Sequence, residues 1–324
     1  MNYRFGRVAA MLVAFFSMCL GPANAQYPNR TVKIVVPYGA GGPTDLIARV
    51  LASGLADKWG KPVVVENRVG AGGNIGSDIV AKSTGDGYTL LVVPSGLLVI
   101  NPWLFDKMPF DPQRDLTAIS LLGAGPNIMF VNTKLPVQNL EEYIRYAREN
   151  PSRSNFSSPG IGTIPHLAGE MLMQQTGIKI THVPYSGAPQ SMVALINGDA
   201  DMMIDTPLSL TYAKAGKIRP IAVLSKNRFS GAPSVPTVSE SGHPEMIVDA
   251  WYGLLAPPRM APELAQQIRT DAASVLLSAD AKKRLEFIGF EPVMNTSDVF
   301  SKAIATESAQ WGNIFRKAGI RPTQ

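Results

Sequence analysis

Two apolar periods alternate along this chain. From Thr31, TVKIVVP is the nearly unbroken apolar run of a strand buried on both faces; the turn GAGG follows at Gly39 to Gly42, and Leu46, Ile47, Val50, Leu51 and Leu55 then recur at helical spacing up to Gly60. PVVVEN, from Pro62 to Asn67, predicts a second strand. A second GAGG follows at Gly70 to Gly73, and a helix carrying Ile75, Ile79 and Val80 runs toward Gly85. YTLLVVP, from Tyr88 to Pro94, predicts a third strand. Strand, turn and helix in repetition predict a right-handed βαβαβ unit on a parallel sheet.

The same grammar restarts after a Pro/Gly-rich region around Gly123 to Pro126. NIMFVN, ITHVPY, ADMMID and IRPIAVLS predict strands, while NLEEYIRYAREN, PHLAGEMLMQQTG and QSMVALINGD predict helices. Past Asp249, AWYGLLAPP and two helical patterns, 261–285 and 297–318, have no new strands to cover and are expected to return to the first sheet. The chain then crosses between two α/β domains twice, near Asn127 and near Asp249, and leaves a cleft between them.

The N-terminus changes the charge balance. Arg4 and Arg7 precede the apolar run VAAMLVAFFSMCL, and Ala23 and Ala25 supply the small-residue pattern of a cleaved secretory signal peptide, with cleavage expected after Ala25. The formal charge of +5 falls to +3, with 28 basic against 25 acidic side chains once residues 1–25 are removed. That balance gives no reason to expect nucleic acid as a partner. Cys19 is the only cysteine, so the mature chain folds without disulfides and has neither a thiol nucleophile nor a cysteine metal site.

The glycine turns fail as nucleotide sites. A dinucleotide fingerprint needs a third glycine where this chain has Thr44 or Ile75, and a P-loop needs Ser or Thr where Pro62 follows Lys61 and Ile218 follows Lys217. Taken singly, each GAGG makes a tight strand-to-helix turn. Taken as a pair at the carboxyl ends of adjacent parallel strands, they offer backbone N–H donors and positive helix ends to an anion such as a carboxylate. The hydrolase and metalloprotease motifs G-x-S-x-G, H-E-x-x-H and S-x-x-K are absent. Of the three histidines, His182 reads as structural and His243 as a loop residue. His166 starts a helix, where it serves either the ligand or the helix end.

VVPYGAGGPTDLIAR resembles the signature of the Bug-type receptors, the extracytoplasmic solute-binding proteins of tripartite tricarboxylate transporters. VENRVGAGGNIGSD, GDGYTLL, GIGTIPHLAGE, THVPYSGAPQSMVALINGDADMMID, PSVPTVSESG and WYGLLAPP follow in that family's order over essentially the whole mature chain. The resemblance implies a two-domain periplasmic-binding-protein (flytrap) fold with two crossover strands, each domain a mostly parallel sheet flanked by helices. Its domains would be 26–126 plus 250–324, and 127–249, after a signal peptide over 1–25. It implies a periplasmic, monomeric receptor for a small carboxylate, with neither catalytic residues, cofactor nor metal, whose partners are inner-membrane transporter subunits or a signalling receptor. The site residues it implies are Tyr38, Gly41, Gly42 and Thr44 of the first loop, Gly72, Gly73 and Asn74 of the second, and Ser95 after the third strand. From the other domain come Gly162, Thr163, His166, Tyr185, Gly187 and Asp205. Asp45 is expected to stabilise the first helix N-terminus, and Arg68 either to serve as counter-ion or to pair with Glu66. Asp205, if it faces the cleft, suits a ligand carrying a donor group. Gly39-Ala40 stands where the family often has prolines, which predicts a more mobile first loop.

Overall fold

The computed structural model describes residues 27–318 except 152, 249 and 287. The expected signal peptide and the second crossing point at Asp249 therefore lie outside the described residues. The chain begins with β1 (Val32–Val36), α1 (Pro43–Trp59), β2 (Val63–Asn67), a 3-10 turn (Ala71–Gly73), α2 (Asn74–Ala81), β3 (Thr89–Pro94), α3 (Ser95–Val99), α4 (Asn101–Leu104) and β4 (Thr117–Gly125). A second set follows: β5 (Ile128–Asn132), α5 (Leu140–Glu149), β6 (Asn155–Ser158), α6 (Ile164–Thr176), β7 (Thr181–Pro184), α7 (Ala188–Asn197), β8 (Met202–Asp205), α8 (Leu210–Lys214) and β9 (Ile218–Val223). The chain closes with β10 (Ala250–Ala256), α9 (Pro262–Leu276), α10 (Ala279–Glu286), β11 (Glu291–Pro292) and α11 (Ser297–Ala318).

These elements form two sheets, ordered β11-β4-β10-β3-β1-β2 and β7-β6-β8-β5-β9. Both are sandwiched by helices, which explains the apolar runs. In β1, Val32, Ile34 and Val36 pack under α1, α9 and α10 with Leu51, Ile268 and Leu285, whereas Val35 points the other way, toward the core that holds Phe300 of α11. In the second sheet, one face packs Tyr143 and Leu172 and the other packs Met192 and Leu195.

The sheets are mixed, a correction to the mostly parallel arrangement expected. β1 runs parallel to β2 and β3, and β6 parallel to β7 and β8, but β10 is antiparallel to β3 and β4, and β5 to β8 and β9. The cause is the direction of entry. β10 and β5 each start at the edge where their neighbours end, as the pairings Ala250 with Gly125 and Ile128 with Asp205 show. The carboxyl ends of β3, β4, β8 and β9 thus face the gap between the sheets, where open α/β sheets place ligands.

Two further expectations are revised. β4 is a nine-residue strand one place in from the edge of the first sheet, where only its glycine-rich end attracts notice in the sequence. The helical pattern 261–285 is two helices, broken around Leu277 and Ser278. Three hydrogen bonds join the crossings between sheets: Leu224 N–H donates to Asn127 O (2.8 Å), Val248 N–H to Leu224 O (2.9 Å), and Asn127 Nδ2 to Val248 O (2.8 Å).

Candidate functional site

A cavity with ≈ 70 Å³ of room for water centres lies between the two sheets, walled by both. Three helices point their first turns at it: Pro43 and Thr44 of α1, Ile164 and Pro165 of α6 with its cap Thr163, and Ala188 of α7. Each has proline at its first or second position, where the missing N–H costs nothing. α1 and α7 begin on Gly42 and Gly187, and no side chain caps either, so their first-turn N–H groups are not consumed by a cap. Helices of 17, 13 and 10 residues thus converge their positive ends on one small volume. Neither Lys, Arg nor His lines that volume, and its single charged side chain is Asp205.

The first glycine turn is held from below. Asp45, 2% exposed, accepts from Gly41 N–H (2.9 Å) and Arg49 Nε (2.8 Å) on one oxygen and from Asn67 Nδ2 (3.0 Å) on the other. Burial alone would raise the Asp45 carboxyl, but Arg49, Gly41 and Asn67 outweigh it and hold it below its ordinary value. Asn67 Nδ2 also donates to Tyr38 O (3.0 Å). The loop expected to be mobile is therefore braced at both of its ends. Of its predicted residues, Tyr38, Gly42 and Thr44 line the cavity and Gly41 does not.

The second turn is placed differently. Gly72, Gly73, Asn74 and Ser95 are not on the cavity wall, although Pro94 is. Gly72 O accepts from Tyr38 Oη (3.0 Å) and Asn101 Nδ2 (3.1 Å), and Asn101 Nδ2 also donates to Asn74 Oδ1 (2.8 Å). Burial pushes the Tyr38 hydroxyl well above its usual range, so it stays a donor. Gly72 has φ +62°, and a Cβ there would stand 2.5 Å from Ile161 O of the opposite lobe. A Cβ on Gly96 would stand 2.7 Å from Gly162 O. The turn is a seam at which the two lobes touch backbone to backbone. Arg68 lies outside it, half-exposed and paired with Glu66.

On the opposite lobe, Thr163 and Asp205 line the cavity, whereas Gly162, His166, Tyr185 and Gly187 stand behind it or on the seam. His166 Nδ1 accepts from Gly162 N–H (3.3 Å), and its ring stacks on His182 at 4.1 Å. Burial, then the neighbouring His166, pushes His182 down to about 3. Neutral His182 contacts Ser158 Oγ at 2.6 Å through Nε2. Composition alone shows no such serine–histidine pair, but the Ser158 hydroxyl is fully buried, braces the Gly160 backbone and does not line the cavity.

Asp205 is 5% exposed and accepts from Ser209 Oγ at 2.6 Å. Burial pushes its carboxyl up to about 6, against the lowering effect of the Ser209 and Thr206 hydrogen bonds. Beside it, Thr206 Oγ1 is buried without a hydrogen-bond partner, and Tyr252 feels the Asp205 charge. Thr206, Tyr252, Ala250, Asn127, Pro159 and Pro165 line the cavity and are missing from the residues expected. The prolines of GGPT, TIPH and GAPQ were the available signal for the three helix starts. Asn127 and Tyr252 carry no motif and reach the site only because the chain crosses there.

Two lobes joined by paired crossings, with a cavity between them, define a solute-binding protein. The chain belongs to the tripartite tricarboxylate transporter receptor family, whose description, "Tripartite tricarboxylate transporter family receptor", matches residues 47–320. It is 34% identical to Protein BugT of Bordetella pertussis over 93% of each chain. Among solved structures it resembles the periplasmic binding protein BugD (TM-score 0.88, 31% identity, 92% of this chain and 100% of that one). It also resembles MatC from Rhodopseudomonas palustris with bound malate (TM-score 0.85, 29% identity, 89% and 99%) and an R. palustris protein solved with adipate (0.88, 33%, 92% and 100%).

Proposed function

We propose that this protein captures a small carboxylate in the cavity between its lobes and presents it to a membrane transporter. The observation that carries this reading is the convergence of three helix N-termini on a cavity with no basic side chain. Such a site neutralises an anion with fixed backbone dipoles, without the desolvation cost of a buried guanidinium or ammonium. The unpartnered Thr206 Oγ1 supplies a further polar contact. Relatives solved with malate and adipate support the ligand class.

In this reading the lobes are 26–126 plus 250–324, and 127–249, and they close about the crossings at Asn127 and Val248. Gly42, Thr44 and Thr163 contact solute, Asp45 braces the first loop, and Gly72 and Gly162 form the closing seam. The chain acts as a binding protein rather than an enzyme, and it acts in the periplasm, where its relatives are named as binding proteins. A thermal-shift panel of mono-, di- and tricarboxylates on the mature protein, refolded to shed co-purified solute, tests the class. A ligand at 100 times its Kd stabilises by about 2.7 kcal/mol. A flat response to every carboxylate, with a shift for an uncharged solute, overturns the proposal.

A further inference from the structure

The cavity wall carries two chemically opposite kinds of group. The uncapped first turns of α1 and α7 contribute N–H donors, and Asp205, in a lining that also holds Thr206 and Tyr252, contributes a carboxylate. One Asp205 oxygen is engaged by Ser209 Oγ (2.6 Å). No cation is present in the lining to compensate this carboxylate. A solute held in this volume therefore meets both the helix starts and Asp205.

We propose that Asp205 selects the solute, admitting a carboxylate that carries a hydroxyl or ammonium donor a few atoms from its carboxyl group and discriminating against the plain dianion of the same length. The inference rests on the carboxylate-receptor reading above. Two like charges in a dry cavity repel, whereas a hydroxyl or ammonium donates to the Asp205 carboxylate in a charge-assisted hydrogen bond. A plain diacid enters only with one extra proton, held at Asp205 or on the solute's distal carboxyl.

Burial brings the carboxyl to about 6, so this proton is within reach of mild acid. The other titratable groups of the lining are Tyr252 on β10 and Tyr38 across the cavity, phenols that burial keeps protonated throughout that range. Asp205 is thus the group in the cavity lining whose charge changes between pH 5 and pH 8.

Succinate, 4-hydroxybutyrate and 4-aminobutyrate share a four-carbon chain and one carboxyl and differ at the far end by carboxylate, hydroxyl or ammonium. Titration calorimetry of the mature protein at pH 7.5 is expected to give 4-hydroxybutyrate and 4-aminobutyrate at least about tenfold tighter than succinate, the worth of one charge-assisted hydrogen bond. Succinate affinity should rise by about tenfold per pH unit toward pH 6. Repeating the titration in buffers of different ionisation enthalpy should show one proton taken up with succinate and less than half of one with 4-hydroxybutyrate. Asp205→Asn keeps the shape and removes the charge; in it the gap between the three should shrink and the pH dependence disappear.

The proton count uses the native protein, so it stands if the variant fails to fold. Equal affinities with no proton uptake overturn the selection by Asp205 while leaving the carboxylate class intact. So does a preference that survives unchanged in Asp205→Asn, or binding confined to carboxylates without a donor. Failure of every carboxylate in the panel overturns the class itself and this inference with it.

Discussion

The four residues GAGG occur twice, and the two copies do different work. At Gly39 to Gly42 the turn opens a 17-residue helix whose first N–H groups are left uncapped beside the cavity, and Asp45 pins it from beneath. At Gly70 to Gly73 the turn becomes a 3-10 segment whose Gly72 carbonyl is doubly hydrogen-bonded and whose Cα abuts the opposite lobe. The difference is made by the neighbours. Pro43 and Asp45 convert one copy into an anion-facing helix start; Asn74 and Asn101 convert the other into part of a buried amide cluster. Identical turn sequences acquire separate functions from the residues that directly follow them and from those packed against them.

The comparison breaks most readily at Gly72. Gly72→Ala places a methyl in a left-handed conformation and against Ile161 O, and is expected to disfavour the closed form by about 2 to 3 kcal/mol, weakening solute binding by thirtyfold or more. Gly42→Ala has φ −79° and nothing nearer than 3.7 Å, so it should shift stability by less than about 1 kcal/mol. Small-angle scattering with saturating solute should show an expanded Gly72→Ala and a compact Gly42→Ala; two compact proteins would remove the seam role from the second turn.

Asp45 sharpens the same contrast from the other side. Asp45→Asn weakens the bonds to Arg49 and Gly41 and is expected to cost about 1.5 to 2 kcal/mol in urea unfolding at pH 7. Because its carboxyl is held below the unfolded value of 3.8, the ionised form favours the folded state. Its contribution is fully present above pH 3.8 and is lost as pH falls through the folded value, so wild type and variant should converge in stability in strong acid. A difference that persists below pH 2 would assign the effect to packing. The smallest effect is expected from Tyr38→Phe, which deletes the 3.0 Å bond to Gly72 O but leaves Asn101 Nδ2 in place: about 1 kcal/mol by thermal or urea unfolding.

Much of the scaffold was legible because strands buried on both faces leave long apolar runs, as in TVKIVVP and YTLLVVP. The order of strands was less so. β10 pairs antiparallel between β3 and β4, over a sequence separation of more than a hundred residues from either, and no local pattern reports such a pairing. Local letters misled at α2, where Ile75 and Ile79 are 52% and 44% exposed while Asn74, Gly76 and Ser77 face inward. There the helix lies so close to the strand that a Cβ on Gly76 would be 2.5 Å from Arg68 O, and only small residues fit. Of the cavity lining, the motifs pointed to Tyr38, Gly42, Thr44, Thr163 and Asp205, whereas the second glycine loop stands off the wall. Asn127 and Tyr252 were not, because a residue delivered to a cavity by a crossover has no signature of its own.

Asn127 walls the cavity and its side chain donates to Val248 O, so the tie between the outgoing and returning chain borders the volume that the proposed solute would occupy. In the proposed closure there is no lever arm between cargo and axle. Loading and unloading rates should therefore rise and fall together when this one amide is changed, and the dwell time of the solute becomes a property of the joint as much as of the jaws.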